Sequence, residues 1–517
     1  MVQPINSIVI VGGGTAGWLT AGVIAARHQW RMETGLTITL VESPNVPIIG
    51  VGEGTWPTLR TTLEKMGVSE TEFFRQCDGA FKQGAKFAKW TTGAEDDAYY
   101  HPLMLPQGFA QLNLVPHWLW GEQSQGQSQT FCDAVCPQGA LCEDGLAPKT
   151  ISMPEYQGLA NYAYHLDAGK FAPFLQKHCT EKLGVRHVLA DVTSVSQHEN
   201  GDIKSVSTQQ AGEIEGDLFV DCTGFSSLLL GQTLGVGFKS CSDILFCDAA
   251  LAIQIPFESP DAPLASETVA TAQSAGWIWD IGVASRRGIG YSYSTRHTSD
   301  EEAEETIRRY IGPAAKGHAV RKIPIRSGHR ELFWKRNCVA VGLAAGFLEP
   351  LEASAIVLIE LSAKMIAGML PVNRDIMDMI ADRFNEVTHY RWGRIIDFLK
   401  LHYVLSQRND SQFWIDNRDP DTIPDRLKNI LRLWKYQPPW LFDEFDRLDE
   451  VFPAASYQYV LYGMGFKTDV GPPDQPSRIK AAKLMGENAA LTRQIRAQLP
   501  KNRDLLNKIH KYGMQPI

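Results

Sequence analysis

Nothing in this 517-residue chain reads as a disulfide framework or a zinc site: its nine cysteines are an odd number, and no two form a C-x-x-C pair. Cys132, Cys136 and Cys142 are the one cluster, and they read as reduced thiols in a loop, which points to the cytosol. The chain also lacks any run approaching the roughly 20 uninterrupted apolar residues that a membrane span needs. The apolar stretch from Ile8 to Ala26 is broken by Gly12, Gly13, Gly14 and Gly17 and has no basic start, so it does not read as a signal peptide. Positive charge is in deficit, with 50 Lys and Arg against 58 Asp and Glu and a net charge of −8. That balance argues against a nucleic-acid surface, and no Lys/Arg run resembles a polybasic membrane anchor. Repeats and low-complexity segments are missing too, and no metal site is expected. What remains is an acidic chain with 44% apolar content, enough for a large core, and a length that suggests about three domains.

The first informative feature is a turn. Ser7 to Val11 is a continuous β-branched run of the kind found in a buried parallel strand, and Gly12-Gly13-Gly14-Thr15-Ala16-Gly17 follows at once. Gly12, Gly14 and Gly17 fill the G-x-G-x-x-G spacing: the first permits the tight turn, the second lets backbone approach a pyrophosphate, and the third lets the helix from Thr15 to Arg27 sit close on the strand. The phosphates then meet the positive end of that helix. A second strand, Leu36 to Val41, ends in Glu42, a carboxylate placed to accept hydrogen bonds from a ribose. No second fingerprint follows a strand and opens a helix, so one nucleotide site is expected.

Other pieces favour FAD over NAD. Gly50 to Pro57 is a glycine-dense loop where backbone can lie against a flat ring. Asp217 to Gly224 and Asn337 to Gly346 each read as a buried strand leading into a glycine turn, a design that grips a long cofactor at both ends. In Trp277-Ile278-Trp279-Asp280-Ile281 the two tryptophans are one residue apart, which on a strand puts both on one face as an aromatic wall. Taken alone, they could be ordinary core. Lys82, Lys86 and Lys89 in turn could be three solvated residues on one helix face.

With these segments in hand, the sequence resembles the flavin-dependent halogenases of the tryptophan halogenase family. The resemblance runs through Gly12 to Trp18, Gly50 to Pro57, Phe81 to Trp90, Asp221 to Ser227, Gly276 to Tyr291, Gly342 to Glu352 and Ile396 to Trp414, in the family's order. It implies an FAD-binding Rossmann-type α/β core of the two-dinucleotide-binding, aromatic-hydroxylase-like kind, with an inserted antiparallel sheet and a mostly helical C-terminal cap. The expected division is a core over 1–371 and a substrate-covering subdomain over 372–517. Cofactor contacts are implied at Gly12, Gly14, Thr15, Ala16, Gly17, Glu42, Gly52, Val192 and Leu343.

The family's F-K-x-x-x-K-F segment stands here as Phe81 to Phe87, which gives Lys82 the role of carrying an electrophilic halogen to one ring carbon. Desolvation of a buried amine makes its nitrogen more nucleophilic, in keeping with that role. Glu352 takes the part of the carboxylate that polarises the electrophile and accepts the ring proton. Halide is implied at Ser354 and Ala355, where the free N–H groups at the start of a helix from Ser354 to Met369 offer an anion site. Helix capping by Glu352 would account for the same pattern. Substrate contacts are implied at His101, Trp277, Trp279 and Tyr457. Three positions depart from the family pattern: Gly282 replaces the proline after the W-x-W-x-I strand, Glu352-Ala353-Ser354-Ala355 replaces E-S-T-G, and Leu103 stands where an aromatic is common.

The activity so implied is that of an FADH2-dependent halogenase, in which a flavin hydroperoxide oxidises chloride or bromide to hypohalous acid and the halogen passes to an indole or tryptophan-like ring. A separate NAD(P)H-dependent reductase would supply the reduced flavin, and a homodimer is common among such proteins. The competing readings are an FAD-dependent aromatic hydroxylase and a non-catalytic flavin-binding protein. Elsewhere, apolar spacing predicts one or two long helices over 375–403 and further helices near 425–434, 455–464 and 477–511, while 122–150 reads as a long surface insertion.

Overall fold

The computed structural model describes residues 4–46, 52–125, 129–441, 443 and 450–517. The chain divides into two compact units that interleave along the sequence. One comprises 1–78, 166–241 and 326–392, the other 79–165, 242–325 and 393–517. This division differs from the expected cut at 371/372, because segments far apart in sequence pair into common sheets.

The first unit is built on a six-stranded sheet, in the order Trp334–Lys335, Cys338–Ala340, Leu218–Asp221, Ser7–Val11, Thr37–Glu42, Arg186–Leu189. All neighbours run parallel except the first pair. Ile8, Val9 and Ile10 are fully buried, as expected of a strand covered on both faces. Helix Thr15–Arg27 packs against helices Ala168–Lys182 and Ser354–Gly368. At the end of Leu218–Asp221 the buried Asp221 carboxylate accepts from the Thr223 hydroxyl at 2.6 Å and from the backbone N–H groups of Leu229 and Leu230 at 2.9 and 2.8 Å. That carboxylate fixes the glycine turn that follows the strand.

The second unit is organised by a seven-stranded sheet, in the order Arg321–Pro324, Ala249–Pro256, Arg286–Tyr293, Gly276–Gly282, Thr268–Gln273, Gly84–Ala88, Ala98–Pro102. It is antiparallel throughout except for the parallel pair Thr268–Gln273 and Gly84–Ala88. Side chains alternate across it, so its register sorts them onto two faces. Leu251, Ile253, Ile278, Ile289 and Tyr291 share one face, packed on Ala303 and Ile307 of helix Asp300–Ile311. The opposite face collects His101, Phe87, Thr268, Ala270, Trp277, Trp279 and Gly290. Thus the aromatic wall expected from the tryptophan spacing is one face of a sheet, and it extends to His101.

Two expectations are corrected here. The segment 122–150, expected as a surface insertion, is partly core among the described residues: it carries short helices Phe131–Val135 and Gln138–Glu143, and Cys132, Cys136 and Cys142 are buried, because apolar neighbours such as Phe131, Val135 and Leu141 draw them into the core. Nor do the three lysines share a helix, since Lys82 ends strand Ala80–Lys82 and Lys86 lies in strand Gly84–Ala88. The region 477–511 is two helices, Gln475–Gln498 and Asn502–Tyr512, parted at Pro500. Among the described residues no helix is long and apolar enough to cross a membrane.

Candidate active site

The glycine turn after the first strand is held by close backbone approaches. Gly12 has φ +117°, and a Cβ on it would lie 2.1 Å from the Cys222 carbonyl oxygen, while a Cβ on Gly17 would lie 1.9 Å from the Gly12 oxygen. Gly14 is different. Its backbone is extended, a Cβ there would meet nothing within 4 Å, and no side chain caps the helix it precedes. An open space over the uncapped N–H groups of a helix start fits a pyrophosphate. Thr15 and Ala16, the first two helical residues, are half-buried beside it.

Two further glycines complete this cradle and are missed by the fingerprint spacing. A Cβ on Gly13 would lie 2.1 Å from Cδ of Glu42, so the Glu42 carboxylate comes this close only because Gly13 is bare. Gly342, at φ +70°, would place a Cβ 2.7 Å from that of Ala16, and Leu343 follows it, half-buried, in the turn Gly342–Ala344. Glu42 also has a neighbour that spacing does not reveal: Nε2 of His187 lies 3.0 Å from its Oε2. Val192 opens strand Val192–Gln197 opposite Thr208, shortly after Ala190, whose N–H donates to the Glu42 carbonyl at 2.8 Å. Of the glycine-dense loop, Gly50 and Val51 lie outside the described residues, while Gly52 is buried in strand Gly52–Gly54. Between its glycines, Glu53 is pushed up to about 7 by burial, reinforced by the charge of Asp167.

Glu352 stands on strained backbone. It has φ +62°, and Ala353 follows at φ +54°, two consecutive left-handed residues neither of which is glycine. Each such conformation costs about 1–2 kcal/mol for an L-residue. The turn is held by the Trp56 indole, which donates to the Glu352 carbonyl at 2.9 Å, and by the Ala353 N–H, which donates to the Pro350 carbonyl at 3.0 Å. The outcome is a carboxylate residue only 8% exposed at the foot of helix Ser354–Gly368, whose start has no side-chain cap. Ser354 is buried there and Ala355 exposed. The N-cap position of that helix is Ala353, which has no polar side chain to satisfy its first N–H groups, so these keep a capacity for an anion.

In the second unit Lys82 is 3% exposed and opposes Ala163 in the antiparallel pair of strands Ala80–Lys82 and Ala163–Asp167. Ala80 opposes His165 in the same pair, which puts the His165 and Lys82 side chains diagonally adjacent on one face. Nε2 of His165 lies 2.8 Å from Oγ1 of Thr268, which belongs to the aromatic face of the large sheet. On that face the Trp277 and Trp279 rings are 6.1 Å apart, with Trp90 at 6.3 Å from Trp277. Trp279 lies over Gly290, where a Cβ would come within 1.9 Å of its ring. Gly282, in place of the family proline, is the last residue of its strand and pairs with Arg287.

His101 is 2% exposed, with Nε2 2.9 Å from the Ser456 hydroxyl and Phe398 at 5.7 Å from its ring. Tyr457, expected as a substrate contact, is buried as well. Phe398 lies 4.8 Å and Trp434 5.2 Å from its ring, and its hydroxyl accepts from Arg394 at 3.2 Å.

The tryptophan halogenase family model matches residues 7–475. The tryptophan 6-halogenase SttH of Streptomyces toxytricini is 34% identical over 481 residues, 89% of this chain and 89% of its own. The tryptophan 7-halogenase RebH of Lentzea aerocolonigenes is 32% identical over 496 residues, 92% of each. Among solved structures, the tryptophan halogenase from Shewanella frigidimarina NCIMB 400 superposes with a TM-score of 0.95 at 47% identity, covering 99% of both chains.

Proposed function

Because this chain belongs to the tryptophan halogenase family, we propose that it is an FADH2-dependent halogenase that uses oxygen and a halide to halogenate an indole or tryptophan-like ring. The observation that carries this reading is the Lys82 amine, buried on a strand whose neighbour His165 touches an aromatic sheet face, in a chain with an open pyrophosphate cradle at Gly14.

Gly12, Gly14, Thr15, Ala16, Gly17, Glu42, Gly52, Val192 and Leu343 are assigned to FAD, with Gly13 and Gly342 making room for Glu42 and Ala16. Reduced FAD, when bound, would supply two of the four electrons that reduce oxygen, the other two coming from the halide, which becomes hypohalous acid. The protein's own part is positional and acid–base. The N–H groups at Ser354 and Ala355 hold the halide. Lys82 holds the electrophilic halogen by hydrogen bond or as a haloamine and hands it to one ring carbon. Glu352 polarises the electrophile and accepts the proton that leaves that carbon, so that ring C–H and hypohalous acid become ring C–halogen and water. His101, Trp277 and Trp279 present the flat apolar surfaces that an indole stacks on.

Chloride and bromide both suit such an N–H site. A separate NAD(P)H-dependent reductase is assigned as the source of FADH2, the assembly is assigned as a homodimer, and the compartment is assigned as the cytoplasm. The test is direct. Protein given photoreduced FAD, air, bromide and indole, without NADH, yields a brominated product by mass detection. A hydroxylated product that forms without halide would establish a monooxygenase instead, and no product at all a flavin-binding protein.

A further inference from the structure

We propose that His165 is a positioning residue for Lys82, an imidazole fixed between the lysine's strand pair and the aromatic sheet face so that it orients the amine that carries the halogen. The inference rests on the halogenase reading above and deepens it.

Three observations place His165 in this role. Its strand register sets it diagonally beside Lys82 on the same face. It has no solvent exposure, and Thr268 holds its Nε2 at 2.8 Å, which fixes the ring plane from the side of the sheet. Finally, its protonation is tied to Lys82. Burial, and after it the charge of Lys82, hold the imidazole down at about 3, offset in part by the backbone of Gly282. Among the described residues, Lys82 is the one charged side chain that acts on His165, and Thr268 from the neighbouring strand brings no charge. A neutral ring at every working pH never competes with Lys82 for positive charge and never swings away to solvate itself. It is a fixed polar wall beside an amine whose direction decides where the halogen goes.

The first test needs no flavin. Ring nitrogens of [15N]histidine-labelled protein report His165, its signal identified by its loss in His165→Gln. The ring is expected to stay neutral across pH 5–9 and to take up its proton only near pH 3, and Lys82→Met is expected to shift that titration upward, because the repelling charge is gone. Identical titration with and without Lys82 would overturn the proposal.

The second test reads brominated indole per flavin oxidised. His165→Ala is expected to lower this ratio about tenfold and Thr268→Val to lower it less, with FAD affinity unchanged, whereas His165→Gln, whose amide reaches the Nε2 position, retains most of it. A purely structural role would lower melting temperature and leave the ratio alone, and that result would also overturn the proposal. If wild-type protein makes no brominated indole, the halogenase reading fails, and the catalytic purpose of the contact with it. If wild-type protein brominates and all three variants match its ratio, the His165 assignment alone fails.

Discussion

Gly14→Val separates the cofactor cradle from the fold. At Gly12 and Gly17 any side chain collides with backbone at 2.1 and 1.9 Å, so replacements there damage the protein with or without cofactor. At Gly14 the backbone is extended, and nothing lies within 4 Å of an added Cβ. Valine is a poorer residue than glycine ahead of a helix, by roughly 0.5–1 kcal/mol, but it restricts the unfolded chain by a similar amount. The cofactor-free variant is therefore expected to melt within a few degrees of wild type. Its FAD affinity is another matter, because the isopropyl group occupies the space over the helix start. Losing two charge-assisted hydrogen bonds to phosphate, at about 1.5–3 kcal/mol each, weakens binding by at least roughly a hundredfold. Flavin fluorescence titration and thermal melting of the apoprotein give the two numbers. Normal FAD affinity would refute the assignment of this turn, and a collapsed apoprotein would refute the claim that the space is empty.

Two further outcomes follow from backbone strain and burial. Ala353→Gly is expected to raise stability by up to about 1 kcal/mol, since glycine accepts the left-handed conformation at φ +54° without the L-residue penalty; a lower melting temperature would contradict this. Glu267, 6% exposed, is pushed from its ordinary 4.5 up to about 7 by burial. Between those values the folded state keeps a proton that the unfolded chain has lost, so stability falls as pH rises from about 4.5 to 7. Glu267→Gln removes that slope and is expected to melt higher than wild type at pH 8, by an amount equivalent to a few kcal/mol at most. Parallel melting curves against pH for both proteins would count against it.

The parts of the fold legible in the sequence are those with a strong local period. The run Ser7–Val11 and its glycine spacing specify the central parallel strand, and the tryptophans at 277 and 279 specify a shared sheet face. Interleaving of the two units is not legible, because which strand pairs with which is a matter of contacts hundreds of residues apart, such as Ser7–Val11 with Leu218–Asp221. The segment 122–150 misleads for a related reason: its Gln, Gly and Ser residues look solvated, yet Phe131, Leu141 and the cysteines between them are buried. Gly13, Gly342 and His165 meet neighbours distant in sequence, and no spacing rule reports a glycine that makes room for Glu42 or a histidine diagonal to Lys82. Residue identity suggests Lys82 and Glu352, but their burial and the left-handed turn beneath Glu352 are properties of the folded chain.

The central claim is that the Lys82 amine carries the halogen, and Lys82→Ala tests it most directly. With photoreduced FAD, bromide and indole, the variant is expected to oxidise flavin and release hypobromous acid to a solution trap much as wild type does, while brominated indole disappears. Bromination of indole by the variant at an undiminished rate would contradict the account.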